Sequence, residues 1–211
     1  MPIKPILFNT EMVKAILEGR KTATRRVIKR DTQMILSSPF KRSHPDMPDK
    51  QIIERICLPR YDAGDILYVR ETWYYETHMH GHTAGKPDLT RGNYSHRYIY
   101  RADNPDFPVD VGVGNHGWRP SIHMPKEASR IFLKVTGVRA ERLQEITGAG
   151  ALAEGVERES FDVGNDFARG MFSDIWDSTI KLSERDKYSW DANPWVWVIE
   201  FERCKKPGVT V

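Results

Sequence analysis

The segment Gly19-Arg20-Lys21-Thr22-Ala23-Thr24-Arg25-Arg26 gathers cations and hydroxyl groups, the side chains that grip phosphate oxygens. Lys21 can act as a base only if it gives up its proton near neutral pH, which requires desolvation or crowding by other cations. Arg20, Arg25 and Arg26 supply such crowding. Thr24 is a weak nucleophile by itself and needs that base within hydrogen-bond reach. A solvated basic loop has the same composition, so the segment alone leaves binding and catalysis both open.

Two further sets carry polar chemistry. In Arg70-Glu71-Thr72-Trp73, strand alternation would put Glu71 and Trp73 on one face, where an indole stacks a base and a carboxylate accepts from an exocyclic amine. A core tryptophan beside a structural ion pair, with Arg70 and Glu71 paired, explains the same residues. Arg119, Ser121 and His123 recur at period two, which would place them together along one pocket wall. His78, His80 and His82 also alternate, with His96 downstream, a spacing able to hold a metal if Glu76 joined them. No cysteine accompanies them and Gly81 and Gly85 interrupt the stretch, so a His-rich surface insertion is the expectation, and no metal or cofactor is assigned.

Several elements must hold these groups. Met12, Val13, Ile16 and Leu17 share one helical face behind a cap at Asn9 or Thr10, and Gly19 stands where that helix stops. Arg20 to Arg26 are thus presented from a helix end and the extended chain after it. Strands are expected at Ile52 to Cys57, Ile66 to Glu71, Arg97 to Arg101, Ile131 to Val138 and Trp195 to Glu202. Helices are expected at Glu141 to Glu154 and Phe167 to Trp176, and Ser37 to Lys50 reads as an aperiodic loop. In the last strand Trp195 and Trp197 alternate with Val196 and Val198 and read as core. Five or more short strands suggest a barrel in an α+β domain.

With 211 residues the chain is long enough for a real core and is read as one domain, 1–211. Its net charge of +3 advertises no polyanion partner, but the charge is unevenly spread. Between Lys14 and Arg30 seven basic residues face Glu18 alone, whereas Glu141 to Asp191 carries twelve acidic and six basic residues. Cys57 and Cys204 form no CxxC pair or disulfide framework, which fits a reducing compartment, and no apolar run is long enough to span a membrane. Location in the cytoplasm is the expectation.

Lys4-Pro5-Ile6-Leu7-Phe8, the block from Gly19 to Arg26, and Gly64-Asp65-Ile66-Leu67-Tyr68-Val69-Arg70-Glu71-Thr72-Trp73 together resemble the ASCH domain family, a branch of the PUA-like β-barrels. Trp118 to Pro125, Ala153-Glu154-Gly155-Val156 and Trp190 to Trp197 resemble the longer ASCH proteins often encoded by phages and prophages. The resemblance implies a PUA-like β-barrel with flanking helices and loop insertions at about 31–60 and 76–117. Family members are described as RNA-binding modules, as ribonucleases and as a small amidohydrolase acting on N4-acetylcytidine.

By the GRKTxT pattern the lysine and threonine of that small enzyme fall on Lys21 and Thr24; its glutamate falls on Glu154 and a nearby arginine on Arg26. The implied reaction has Lys21 take the Thr24 proton, Thr24 attack the amide, and Glu154 orient Lys21 or protonate the departing amine. Arg20, Arg25, Arg26, Arg70, Glu71, Trp73, Arg119, Ser121 and His123 are then expected to bind the nucleoside or RNA. A binding module without chemistry is the alternative. A ribonuclease, with His123 as its acid or base, comes third.

Overall fold

A computed structural model describes residues 3–80, 93–109, 117–157 and 165–208. The fold is mixed α and β, with elements in the order β1 (Ile3–Leu7), α1 (Thr10–Leu17), β2 (Ala23–Val27), α2 (Thr32–Leu36), α3 (Pro39–Ser43), α4 (Asp49–Ile56), β3 (Ile66–Arg70), β4 (Trp73–His80), β5 (Asn93–Tyr100), β6 (Phe132–Arg142), α5 (Gly148–Ala153), α6 (Asn165–Thr179), α7 (Arg185–Tyr188) and β7 (Trp195–Cys204). Five strands make one sheet in the order β1-β3-β6-β7-β2, and β4 pairs with β5. Among the described residues β1 and β2 are its edges and no ladder closes it into a barrel. No helix of the described residues is long and apolar enough to cross a membrane.

The chain divides into two compact units. The first comprises 1–4, 15–67 and 132–211; the second comprises 5–14 and 68–131. In the first, β7 pairs antiparallel with β2 on one side and β6 on the other. Val196 and Val198 project from one face into a core with Leu143, Ile146, Ala151, Phe172 and Trp176. Trp195 and Trp197 are buried, as their alternation with valine suggests. In the second unit the β4–β5 hairpin runs in unbroken register from Trp73↔Tyr100 to His80↔Asn93. Trp73, Met124 and Ala128 form its buried cluster, flanked by Tyr75, Tyr98 and Tyr100.

Several expected elements differ. Ile52 to Cys57 is not a strand but most of α4, because Ile52 and Ile53 fall with Ile56 and Cys57 on one helical face. Pro48 precedes that helix and Asp49 occupies its first turn. The supposed loop at Ser37 to Lys50 contains α3, which begins at Pro39 behind a Ser38 side-chain cap. Glu141 and Arg142 still belong to β6, paired with Val196 and Trp195, so the helix expected from Glu141 starts only at Gly148. The long polar stretch after Glu76 carries more strand than the short piece near Tyr98. His78 and His96 lie in its ladder, opposite Ser95 and Thr77, and His82 lies outside the described residues. Cys57 and Cys204 are free thiols.

Candidate active site

Two helix ends build the site in the first unit, and both are closed by the same device. Helix α1 stops at Gly19, whose φ of +77° suits a residue without a Cβ. The Gly19 amide donates to Ile16 O at 3.1 Å and the Arg20 amide to Ala15 O at 2.9 Å, the bond pair of a Schellman motif. The Lys21 amide also donates to Ala15 O, at 3.0 Å, so the turn fixes the lysine backbone directly.

Helix α5 repeats the pattern: Gly155 has φ +95°, its amide reaches Leu152 O at 2.9 Å, and the Val156 amide reaches Ala151 O at 3.4 Å. The residue carried just before this second glycine is Glu154. A Cβ built on Gly155 would lie 2.9 Å from Ala15 Cβ and 3.1 Å from Lys21 Cβ, so only glycine lets the two turns approach this closely. Thr22 N donates to Ala153 O at 2.8 Å, and an isolated antiparallel bridge joins Lys21 to Glu154.

The side chains follow from this frame. Lys21 Nζ donates to Glu154 Oε2 at 2.6 Å and to Glu154 O at 2.8 Å. The lysine side chain is fully buried and that of Glu154 is 6% exposed. Burial pushes the Lys21 ammonium below the usual lysine range; the Glu154 carboxylate opposes the shift, and Arg26 and Arg25 add to it.

Glu154 is itself shared. Its Oε1 accepts from Arg25 Nη1 at 3.2 Å, while Arg25 Nε and Nη2 both donate to Glu141 Oε1, at 2.9 and 2.6 Å. Beyond Glu141 stands Arg139, 3.4 Å from Oε2, and Arg139 reaches Glu200 at 2.5 Å. A line of alternating charge thus runs from buried Lys21 through Glu154, Arg25, Glu141 and Arg139 to the surface at Glu200. Arg25 also lies 5.8 Å over the Phe172 ring, which seats it on the hydrophobic core.

Lys21, Glu154 and Arg25 are therefore brought together. Arg20 is close by: Nη1 donates to Gly155 O at 2.6 Å and Nη2 pairs with Glu18 at 2.5 Å. Thr24 is buried on β2 opposite Ile199, on the other sheet face from Arg25 by strand alternation. No hydrogen bond joins its hydroxyl to Lys21 or Glu154 among the described residues. Arg26 shares the Thr24 face and is exposed.

The remaining expected residues belong to the second unit, in other arrangements than their spacing suggests. Glu71 and Trp73 do not share a strand, because β3 ends at Arg70 and β4 begins at Trp73. Glu71 is buried and receives Arg130 Nε and Nη2 at 2.9 and 3.0 Å, so its ionic partner is Arg130, not Arg70. Burial raises the Glu71 carboxyl against that pairing. Arg130 also binds Asp103 and lies 4.0 Å over Tyr100. Arg70 donates to Ile122 O.

Trp73 is a core residue, its ring 5.1 Å from the Arg119 guanidinium, and the two backbones exchange hydrogen bonds at 3.1 and 2.7 Å. Ser121 and His123 begin and end a short 3-10 helix, not a strand, so Arg119, Ser121 and His123 do not alternate along one wall. His123 is exposed.

Glu141, Arg139 and Arg130 were not singled out from sequence. Arg139 lies just past the strand expected to end at Val138 and Glu141 opens a stretch expected to be helical, so only the β6–β7 register shows that both belong to β6 and which face they occupy. No protein-family model, curated protein or solved structure matches the chain.

Proposed function

We propose that this protein is an ASCH-type, PUA-like protein that binds a nucleoside or RNA and hydrolyses the amide of an N4-acylated cytidine at Lys21, Thr24 and Glu154. The observation that carries the reading is the buried Lys21–Glu154 pair, reached across the fold by two facing Schellman turns. A lysine whose ammonium is disfavoured by burial gives up its proton more readily than a solvated one, and one carboxylate holds it in place.

In this mechanism neutral Lys21 accepts the Thr24 hydroxyl proton as Thr24 Oγ1 attacks the acyl carbonyl. The C–N bond breaks, the cytidine amine leaves with a proton delivered through Glu154, and water then releases the acid from Thr24. Substrate must bring Thr24 into reach of Lys21, in keeping with catalytic hydrogen bonds that tighten only in the complex. Arg26, on the Thr24 face, is the side chain offered for the developing oxyanion, a role worth about 3–4 kcal/mol where one donor has been removed.

A second reading has its own support. Lys21 spends two bonds on Glu154, one of them to its carbonyl oxygen, as a structural clamp in a pure RNA-binding module would. Incubation with N4-acetylcytidine and longer acyl analogues, with cytidine followed by chromatography, separates the two. Release that disappears in Lys21→Ala supports hydrolysis. Release unchanged in Lys21→Ala, or absent in wild type, refutes it.

A further inference from the structure

A second concave site lies in the first unit, past the other end of β2. It has a volume of about 640 Å³, and Lys29, Arg30, Arg142 and Lys187 line it against only two acids, Asp31 and Asp186. Four cations less two carboxylates leave an excess of two positive charges. None of the four cations has a carboxylate partner among the described residues; Arg30 and Arg142 donate instead to the carbonyl oxygens of Ile56 and Asn193. Asp31 is already engaged, accepting the Met34 amide at 2.9 Å as the cap of α2.

Cations left unpaired around a concavity concentrate field there and attract an anion. The wall is organised as well as charged. Arg142 lies 4.8 Å over the Trp195 ring, which together with the Asn193 bond holds its guanidinium in place. Lys29 and Lys187 are exposed and free to reach a ligand. Thr32, Gln33 and Ser37 add hydroxyl and amide groups suited to a sugar.

The position of the cleft selects the ligand. Lys21 precedes β2 and Lys29 follows it; eight residues of extended chain span roughly 26 Å at ~3.3 Å each. One nucleoside does not cover that distance, whereas a strand of several nucleotides does. We infer that the cleft binds backbone phosphates of a single-stranded RNA whose modified base is taken up at Lys21. The choice of RNA rests on the reading under Proposed function; the phosphate site rests on the cleft alone.

The test measures binding of a fluorescent single-stranded RNA 12-mer across a series of salt concentrations. Lys29→Glu/Lys187→Glu is compared with Lys50→Glu/Lys205→Glu, which reverses two exposed lysines outside the cleft. The cleft variant is expected to bind about tenfold more weakly, with its salt slope reduced by roughly 1.4, two contacts at about 0.7 each. The control variant should change far less. Equal losses in the two variants, or a 12-mer held no more tightly than inorganic phosphate, overturn the inference.

Free N4-acetylcytidine separates the two ideas, because its turnover should be untouched in the cleft variant. A protein that hydrolyses no acylcytidine but loses RNA binding through the cleft variant keeps this site and loses the amidohydrolase reading. The reverse pattern removes the cleft alone.

Discussion

Replacing Glu154 by glutamine removes one charge from a buried pair while keeping its shape. Lys21 is fully buried and Glu154 nearly so at a separation of 2.6 Å. Removing one partner of such a pair costs about 3–5 kcal/mol, because the other charge is left in a low-dielectric site. Here the lower figure applies: the amide oxygen of the introduced glutamine can still accept from Lys21, and Arg25 keeps both bonds to Glu141. The expected loss is about 3 kcal/mol, or roughly 6–12 °C in Tm for a chain of this size.

The pH dependence of that loss identifies its cause. A lysine whose folded pKa lies below its unfolded value binds fewer protons folded than unfolded in the window between the two, so stability rises with pH there. In the native protein burial lowers Lys21 and Glu154 resists the shift. Without the carboxylate the shift deepens and the window opens at lower pH. Between about pH 6 and pH 10 the deficit of Glu154→Gln should therefore shrink as pH rises. Thermal melts of both proteins at matched ionic strength measure it. A deficit that stays constant across that range, or that never exceeds about 1 kcal/mol, refutes the view that a buried charge on Lys21 is the element at stake.

Two other perturbations address the frame. Gly155→Ala combines an unfavourable φ with a Cβ 2.9 Å from Ala15 Cβ, whereas Gly19→Ala meets nothing within 4 Å and bears the φ cost alone. The first should lose about 2–4 kcal/mol and the second about 1 kcal/mol, by chemical denaturation; equal losses would show that close approach of the two turns does not matter. Glu71→Gln breaks the bidentate contact to Arg130, which is part-exposed and keeps Asp103. It should cost about 1–3 kcal/mol while leaving acylcytidine turnover per folded molecule unchanged, since Glu71 is tied to Arg130 and not to substrate. Lost turnover with normal stability would return Glu71 to the binding residues.

What the sequence makes legible follows the range of the forces involved. Helix α1 and its glycine stop are local events, so an apolar face and one glycine announce them. Strands β3, β6 and β7 are visible through β-branched runs. Helix α4 misleads because two adjacent isoleucines with Ile56 and Cys57 behind them satisfy a helical face and a short apolar run equally well, and burial decides. Residues 119–123 mislead differently: period two describes spacing, while Pro120 opens a 3-10 turn that overrides it.

The Lys21–Glu154 contact joins residues 133 apart, and nothing in propensity or periodicity pairs them. Resemblance suggested it through two short motifs. The physical reason they meet is that each motif ends a helix with a glycine at positive φ, and that the absent Cβ of Gly155 lets the second turn rest against the first. A motif does not show which face of a sheet its residues take. Arg25 reads as a phosphate ligand in a basic octapeptide, yet β7 pairs with both β2 and β6 and so turns Glu141 toward it. The arginine is thereby committed to two carboxylates, and its charge holds Glu154 in place for Lys21. Basic residues on one short segment thus divide by sheet face: Arg25 shares a face with Glu141 and positions a carboxylate, and Arg26 lies on the face of Thr24.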